Sequence, residues 1–94
     1  MSTPRLSEDQ INNTLAQLPD WSRDGDAIVR KLKFPSFFEA ITFITRIARH
    51  AEAADHHPEI FNVYDKVELR LTTHDASGLT QKDFDLAAQI DAEV

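Results

Sequence analysis

Three internal prolines, Pro19, Pro35 and Pro58, cut this 94-residue chain into segments of different character. Proline has no N–H and disfavours helix at the residue before it, so each one marks a boundary. Ahead of Pro19, Ser7-Glu8-Asp9-Gln10 has the form of a capping box, and Ile11, Leu15 and Leu18 follow at helical spacing. A first helix is expected from about Ser7 to Leu18. Between Pro19 and Pro35, Trp21-Ser22 and Ala27–Phe34 flank Arg23-Asp24-Gly25-Asp26, an Asp-Gly turn between extended segments. Ile28, Leu32 and Phe34 share one face of the second of these strands, with Arg30 interrupting them.

After Pro35, Ser36-Phe37-Phe38-Glu39 opens a long helix with a second capping box, and the helix runs to about Ala54. Its apolar set is broad. Phe37, Ile41, Ile44 and Ala48 form one stripe; Ala40, Phe43, Ile47 and Ala54 form a neighbouring one; Arg46, Arg49 and His50 hold the polar remainder. A small domain covers one stripe, so Phe43 and Ile47 are expected to form an exposed patch through which the chain associates. Beyond Pro58, Glu59–Tyr64 and Val67–Thr73 make a second hairpin around Asp65-Lys66. Val67, Leu69, Leu71 and Thr73 alternate with Glu68, Arg70 and Thr72, one face buried and one wet. His74 and a Gly-containing loop follow, and Thr80-Gln81-Lys82-Asp83 starts a last helix carrying Phe84, Ala87, Ala88 and Ile90. The order α-β-β-α-β-β-α predicts one α+β domain over residues 1–94. A four-stranded antiparallel sheet would carry three helices on one face. The first residues, Met1-Ser2-Thr3-Pro4, read as loose.

Composition removes several function classes. The formal net charge is −6, with ten basic residues scattered among sixteen acids, whereas nucleic-acid phosphates need clustered Lys and Arg. There is no cysteine, which excludes disulfides, thiolate nucleophiles and Cys-type metal sites. No apolar run is long enough to span a bilayer, and the N-terminus lacks a signal-type apolar region, so a cytoplasmic location is the default.

What remains is chemistry carried by histidine. Three of the four histidines, His56, His57 and His74, fall between positions 56 and 74, with Glu52, Asp55, Tyr64 and Asp83 around them. Imidazole both gives and takes protons near neutral pH. His56-His57 stands just before Pro58, at the expected end of the long helix, where both side chains can turn into a cleft. Glu52 and His56 are four apart on that helix and can touch, either as a surface pair or as part of a site. His74 lies at a strand end before a loop, a common position for catalytic groups and equally for solvated ones. Asp83 reads as the fourth residue of a capping box, as a site carboxylate, or as both. Tyr64 and Trp21 read most simply as core or rim aromatics, and His50 as exposed. A zinc site is the rival reading of three His and a carboxylate. The spacing is not H-E-x-x-H, and adjacent helical histidines seldom converge on one ion.

The pattern Glu-x3-His-His-Pro-x5-Tyr-x9-His-x8-Asp, on Glu52, His56, His57, Pro58, Tyr64, His74 and Asp83, resembles the signature of the pterin-4a-carbinolamine dehydratases, also known as dimerisation cofactors of a hepatocyte homeodomain transcription factor. The run Thr72–Thr80 is similar to that family's strand-to-helix loop, Trp21 also fits, and the resemblance covers nearly the whole chain. It implies a hydro-lyase that dehydrates a 4a-hydroxytetrahydropterin to the quinonoid dihydropterin after an aromatic amino-acid hydroxylase has used its tetrahydropterin. A general acid protonates the 4a-oxygen and a general base takes the N5 proton, tasks suited to histidine. The resemblance makes His56, His57 and His74 the catalytic set and Glu52, Asp55, Thr73, Asp83 and Trp21 the substrate-binding surround. Glu52 or Asp83 would orient a histidine, and Asp55 and Thr73 would hydrogen-bond the pterin. It implies no metal and no cofactor beyond the pterin substrate, and a homodimer or homotetramer. The partners it allows are a hydroxylase or a regulatory protein. A non-catalytic interaction module, a dimerisation cofactor or transcriptional coactivator, is the alternative.

Overall fold

A computed structural model describes residues 3–94; Met1 and Ser2, half of the segment read as loose, lie outside the described residues. Helix α1 spans Glu8–Leu15 and strands β1 and β2 span Ser22–Asp24 and Ala27–Lys33. Helix α2 spans Phe37–Ala54, β3 and β4 span Glu59–Val63 and Lys66–Leu71, and α3 spans Gln81–Ala92. A short 3₁₀ turn, His74–Ala76, lies between β4 and α3. The expected element order is therefore present. The first helix ends three residues earlier than its apolar spacing implied, because Gln17 and Leu18 close turns with Thr14 and Leu15.

All three helices begin on side-chain caps. Ser7 and Gln10 form a reciprocal capping box on α1, with Ser7 N–H donating to Gln10 Oε1 at 2.9 Å. Ser36 Oγ accepts the Glu39 N–H at 3.2 Å on α2. The strands form one antiparallel sheet in the order β1-β2-β4-β3. Gly25, with φ +61°, turns the first hairpin in the left-handed region that glycine enters without steric cost. In β4 the alternation is realised: Val67, Leu69 and Leu71 are buried toward the helices, while Glu68 and Arg70 face outward.

Those three side chains join Ile11 of α1, Ile28 of β2, Ala40, Phe43 and Ile47 of α2, and Phe84, Leu86, Ala87 and Ile90 of α3 in one core on the helical face of the sheet. Arg30 points to this face as well. Its guanidinium pairs with Asp91 near the end of α3 and lies 3.6 Å from Asp20. Trp21 is buried beside it and donates its Nε1–H to Asp91 Oδ1 at 2.8 Å. The polar interruption of β2 is thus an ion pair that fastens α3 to the sheet.

The two stripes of α2 are the reverse of the expectation. Phe43 and Ile47 are buried, together with Ala40 and Ala51, whereas Phe37, Phe38 and Ile41 are exposed and Ala54 is not in the core. Phe43 stacks in tilted geometry on Phe34 with ring centroids 4.9 Å apart. Ile44, from the other stripe, also packs against the core, so the buried face takes in part of both. Further exposed apolar side chains, Ile60, Phe61 and Val63, lie on the edge strand β3. Among the described residues, no helix is long and apolar enough to cross a membrane.

Candidate active site

Helix α2 ends on a residue that is neither glycine nor asparagine. Asp55 adopts φ 50°, ψ 43°, the left-handed region. Its N–H returns to the Glu52 carbonyl at 3.2 Å, and the next N–H, of His56, returns to the Ala51 carbonyl at 3.1 Å. This is a Schellman closure, and aspartate is among the few non-glycine residues that tolerate it. The closure swings His56 off the helix axis. The expected i,i+4 contact with Glu52 therefore does not form: Glu52 Oε1 lies 3.6 Å from His57 Nε2 instead.

His74 is held by a small closed loop. Thr73 and Gly78 exchange backbone hydrogen bonds of 3.1 and 3.3 Å, pinching residues 74–77 outward, and Ser77 takes φ 56° to complete the turn. A Cβ on Gly78 would stand 2.7 Å from Arg5 Nε, so the glycine lets the N-terminal segment lie against this loop. That segment is tied down by an Arg5–Thr80 bridge and by the Leu6 N–H to the Leu79 carbonyl at 2.9 Å.

Behind the loop lies Asp83, fully buried in the first turn of α3. Its Oδ1 is 2.6 Å from His56 Nε2. Its Oδ2 accepts from Thr73 Oγ1 at 2.8 Å and from the Thr80 N–H at 3.0 Å. Asp83 therefore caps α3 and holds a histidine at once, the double reading that the sequence left open. A carboxylate only accepts hydrogen bonds, so this pairing makes His56 Nε2 the protonated nitrogen of the neutral ring and leaves the lone pair on Nδ1.

A cleft of about 270 Å³ opens in front of these groups, lined by Asp55, His56, His57, Thr72, Thr73, His74, Asp75 and Lys82. The three histidines, Asp55 and Thr73 are brought together; Asp83 stands behind them and Glu52 lies outside the lining. Trp21 does not reach the cleft, because its ring is in the core and its N–H is taken by Asp91. His56 is largely buried while His57 is exposed, so the set has an inner and an outer member. Thr72, Asp75 and Lys82 were not read as site residues from the sequence, and nothing in their local pattern marks them as such. The buried Thr80 was read only as the cap of the last helix. Among the described residues, no group of three or more His, Asp or Glu side chains is arranged to hold a metal ion.

The site is thus a cleft carrying three histidines, one of them bonded to a buried carboxylate, on a small α+β domain. Residues 4–93 match the family model described as pterin 4 alpha carbinolamine dehydratase. A relative in Chloroflexus aurantiacus, named as a pterin-4-alpha-carbinolamine dehydratase, is 57% identical over 94% of this chain and 95% of its own length. Another of that name in Picosynechococcus is 53% identical over 93% and 95%. The crystal structure of a transcriptional coactivator/pterin dehydratase from Brucella melitensis superposes with a TM-score of 0.91 at 38% identity, covering 95% of this chain and 97% of that one. The chain belongs to the pterin 4 alpha carbinolamine dehydratase family and is an enzyme of the dehydratase class.

Proposed function

We propose that this protein removes water from a 4a-hydroxytetrahydropterin to give the quinonoid dihydropterin, using histidines as general acid and base. The observation that carries this reading is the convergence of His56, His57 and His74 on one cleft, with His56 bonded to a fully buried carboxylate. In the reaction the C4a–O bond breaks and hydroxide must leave as water, so the 4a-oxygen needs a proton. The C4a=N5 bond forms as N5 loses its proton. His56, with its lone pair on Nδ1, suits the base; His57 and His74, at the outer side, are placed to supply the acid. Each such role contributes typically 10²–10⁴-fold. Asp55, in the cleft lining, offers a carboxylate to the N–H groups on the amide edge of a pterin ring. The reaction needs no electron carrier, and we propose that no cofactor beyond the pterin takes part.

The substrate arises where an aromatic amino-acid hydroxylase uses a tetrahydropterin, which makes such an enzyme the expected metabolic neighbour and the cytoplasm the expected site of action. We further propose a homodimer or homotetramer, supported by the exposed Phe37, Phe38 and Ile41 on α2 and by Ile60, Phe61 and Val63 on the edge strand. The same surfaces support a second reading, an interaction module in which catalysis is absent; the coactivator role named for the Brucella protein is that protein's own. The deciding experiment is turnover of freshly generated 4a-hydroxytetrahydropterin by purified protein without added metal. Acceleration over the spontaneous rate is expected, and a rate equal to the spontaneous one would leave only the second reading.

A further inference from the structure

We propose that the buried hydroxyl pair Thr73–Thr80 is a positioning device that fixes the tautomer of His56; the catalytic consequence rests on the dehydratase reading above. The two hydroxyl oxygens are 2.9 Å apart, both residues are buried, and neither hydroxyl is free to choose its direction. Thr73 Oγ1 donates its single proton to Asp83 Oδ2. The proton between the two threonines must then come from Thr80. Thr80 Oγ1 in turn accepts from the Lys82 N–H at 3.2 Å in the first turn of α3. A one-way chain results, from the helix backbone through Thr80 and Thr73 to Asp83, and it meets His56 Nε2 at the far carboxylate oxygen, 2.6 Å away.

The direction of the chain has a chemical consequence. Three donors converge on Asp83: the Thr73 hydroxyl, the Thr80 N–H and the His56 N–H. Hydrogen bonds to the ionised form favour it, and burial without them favours the neutral acid. An Asp83 that had taken up a proton from solvent would donate it to Nε2, and the ring's own proton would then sit on Nδ1. The nitrogen that faces the pterin would then be a donor and not a base. Position 73 thus needs a group that accepts from Thr80 and donates to Asp83 together. Serine meets that need; valine, of similar shape, meets neither half. Thr73 is accordingly assigned to holding Asp83, and its hydroxyl has no proton left for the substrate.

The test compares wild type, Thr73→Val and Thr73→Ser by turnover and by ¹⁵N NMR of the histidine rings. With the ring neutral, wild-type His56 should show an unprotonated Nδ1 and a protonated Nε2. Thr73→Val should lose kcat by about tenfold or more with KM little changed, part of the ~10²–10⁴-fold that a positioned general base contributes, and should show Nδ1–H signal. Thr73→Ser should restore both. A wild-type His56 protonated on Nδ1 would overturn the proposal without any variant. So would a Thr73→Val protein with the wild-type ring spectrum, or a Thr73→Ser protein as impaired as Thr73→Val. Failure of wild type to dehydrate the carbinolamine would overturn the function instead and leave the ring spectra to judge this proposal.

Discussion

Asp83 Oδ1 lies 2.6 Å from His56 Nε2 across 27 positions of sequence, and the same carboxylate receives the Thr80 N–H that begins α3. One side chain therefore serves the last helix and the site. Asp83→Ala should cost stability beyond a lost cap, about 1–3 kcal/mol, because it strands the buried Thr73 hydroxyl and the Thr80 N–H. Asp83→Asn keeps an oxygen for capping and should cost less stability while still slowing turnover strongly. Urea denaturation beside a rate assay separates the two. Equal activity in wild type and Asp83→Asn would remove the carboxylate from the mechanism.

His57 and His74 are exposed and outside the core, so their replacement tests chemistry with little effect on folding. His57→Ala and His74→Ala should each slow dehydration by about 10²-fold or more, bounded below by the spontaneous reaction. Melting curves should stay within about 0.5 kcal/mol of wild type. Wild-type rates in both variants would exclude them as proton donors.

Association should depend on the outer stripe of α2. Phe38→Glu and Ile41→Glu place charges on the exposed face and should split an oligomer without unfolding the protomer. Phe43→Glu is a different experiment, since that ring is core and the charge should unfold the chain. Light scattering behind size exclusion distinguishes these outcomes. A wild-type monomer at micromolar concentration would end the oligomer proposal.

The Asp91 carboxylate holds both Trp21 Nε1 and the Arg30 guanidinium. Asp91→Ala should destabilise the fold by about 1–3 kcal/mol, as expected when buried donors lose their acceptor. It should leave kcat unchanged, because the pair lies outside the histidine cleft. A kcat loss in folded Asp91→Ala protein would bring Trp21 back into consideration as a substrate contact.

Acid should weaken the tie between α1 and β1. Arg23 grips Glu8 with two hydrogen bonds of 2.6 and 2.8 Å, and this grip, only partly opposed by burial, holds the Glu8 carboxyl below its usual range. A carboxyl depressed in the folded state adds stability above its unfolded pKa and loses it as pH falls through the folded value. The pair is at the surface, so the effect should be small and should shrink with salt. In Arg23→Ala the Glu8 titration, followed by carboxyl ¹³C NMR, should move upward; an unmoved titration would refute the assignment.

The elements were readable because their signals are local. Prolines, helix caps and the alternation of β4 each act within a few residues and appear where they were expected, except that the box at Ser36 is half made: Ser36 caps the Glu39 N–H, and the reciprocal bond from the Ser36 N–H to the Glu39 side chain, present in the boxes of α1 and α3, is not among its contacts. The choice between the stripes of α2 was not readable, since Phe37 and Phe43 obey the same periodicity. Tertiary packing decides it: Ala40, Phe43 and Ile47 join the core, with Phe43 on Phe34. The histidines were legible as a group through their spacing and family resemblance. Their partners were not: a Glu52–His56 contact requires both residues on one helix, and the left-handed turn at Asp55 removes His56 from it. Trp21 fitted a motif for the same reason that it fits a core, because a large aromatic ring serves either end.

The left-handed backbone at Asp55 also sets up a conflict under selection. Glycine enters that region without steric cost, so Asp55→Gly should raise thermal stability by about 0.5–1 kcal/mol while taking a carboxylate out of the cleft. A library of this protein screened only for heat resistance should drift toward glycine at position 55, and one screened for turnover should retain aspartate. The strained residue would then be a marker of which pressure a lineage has lived under.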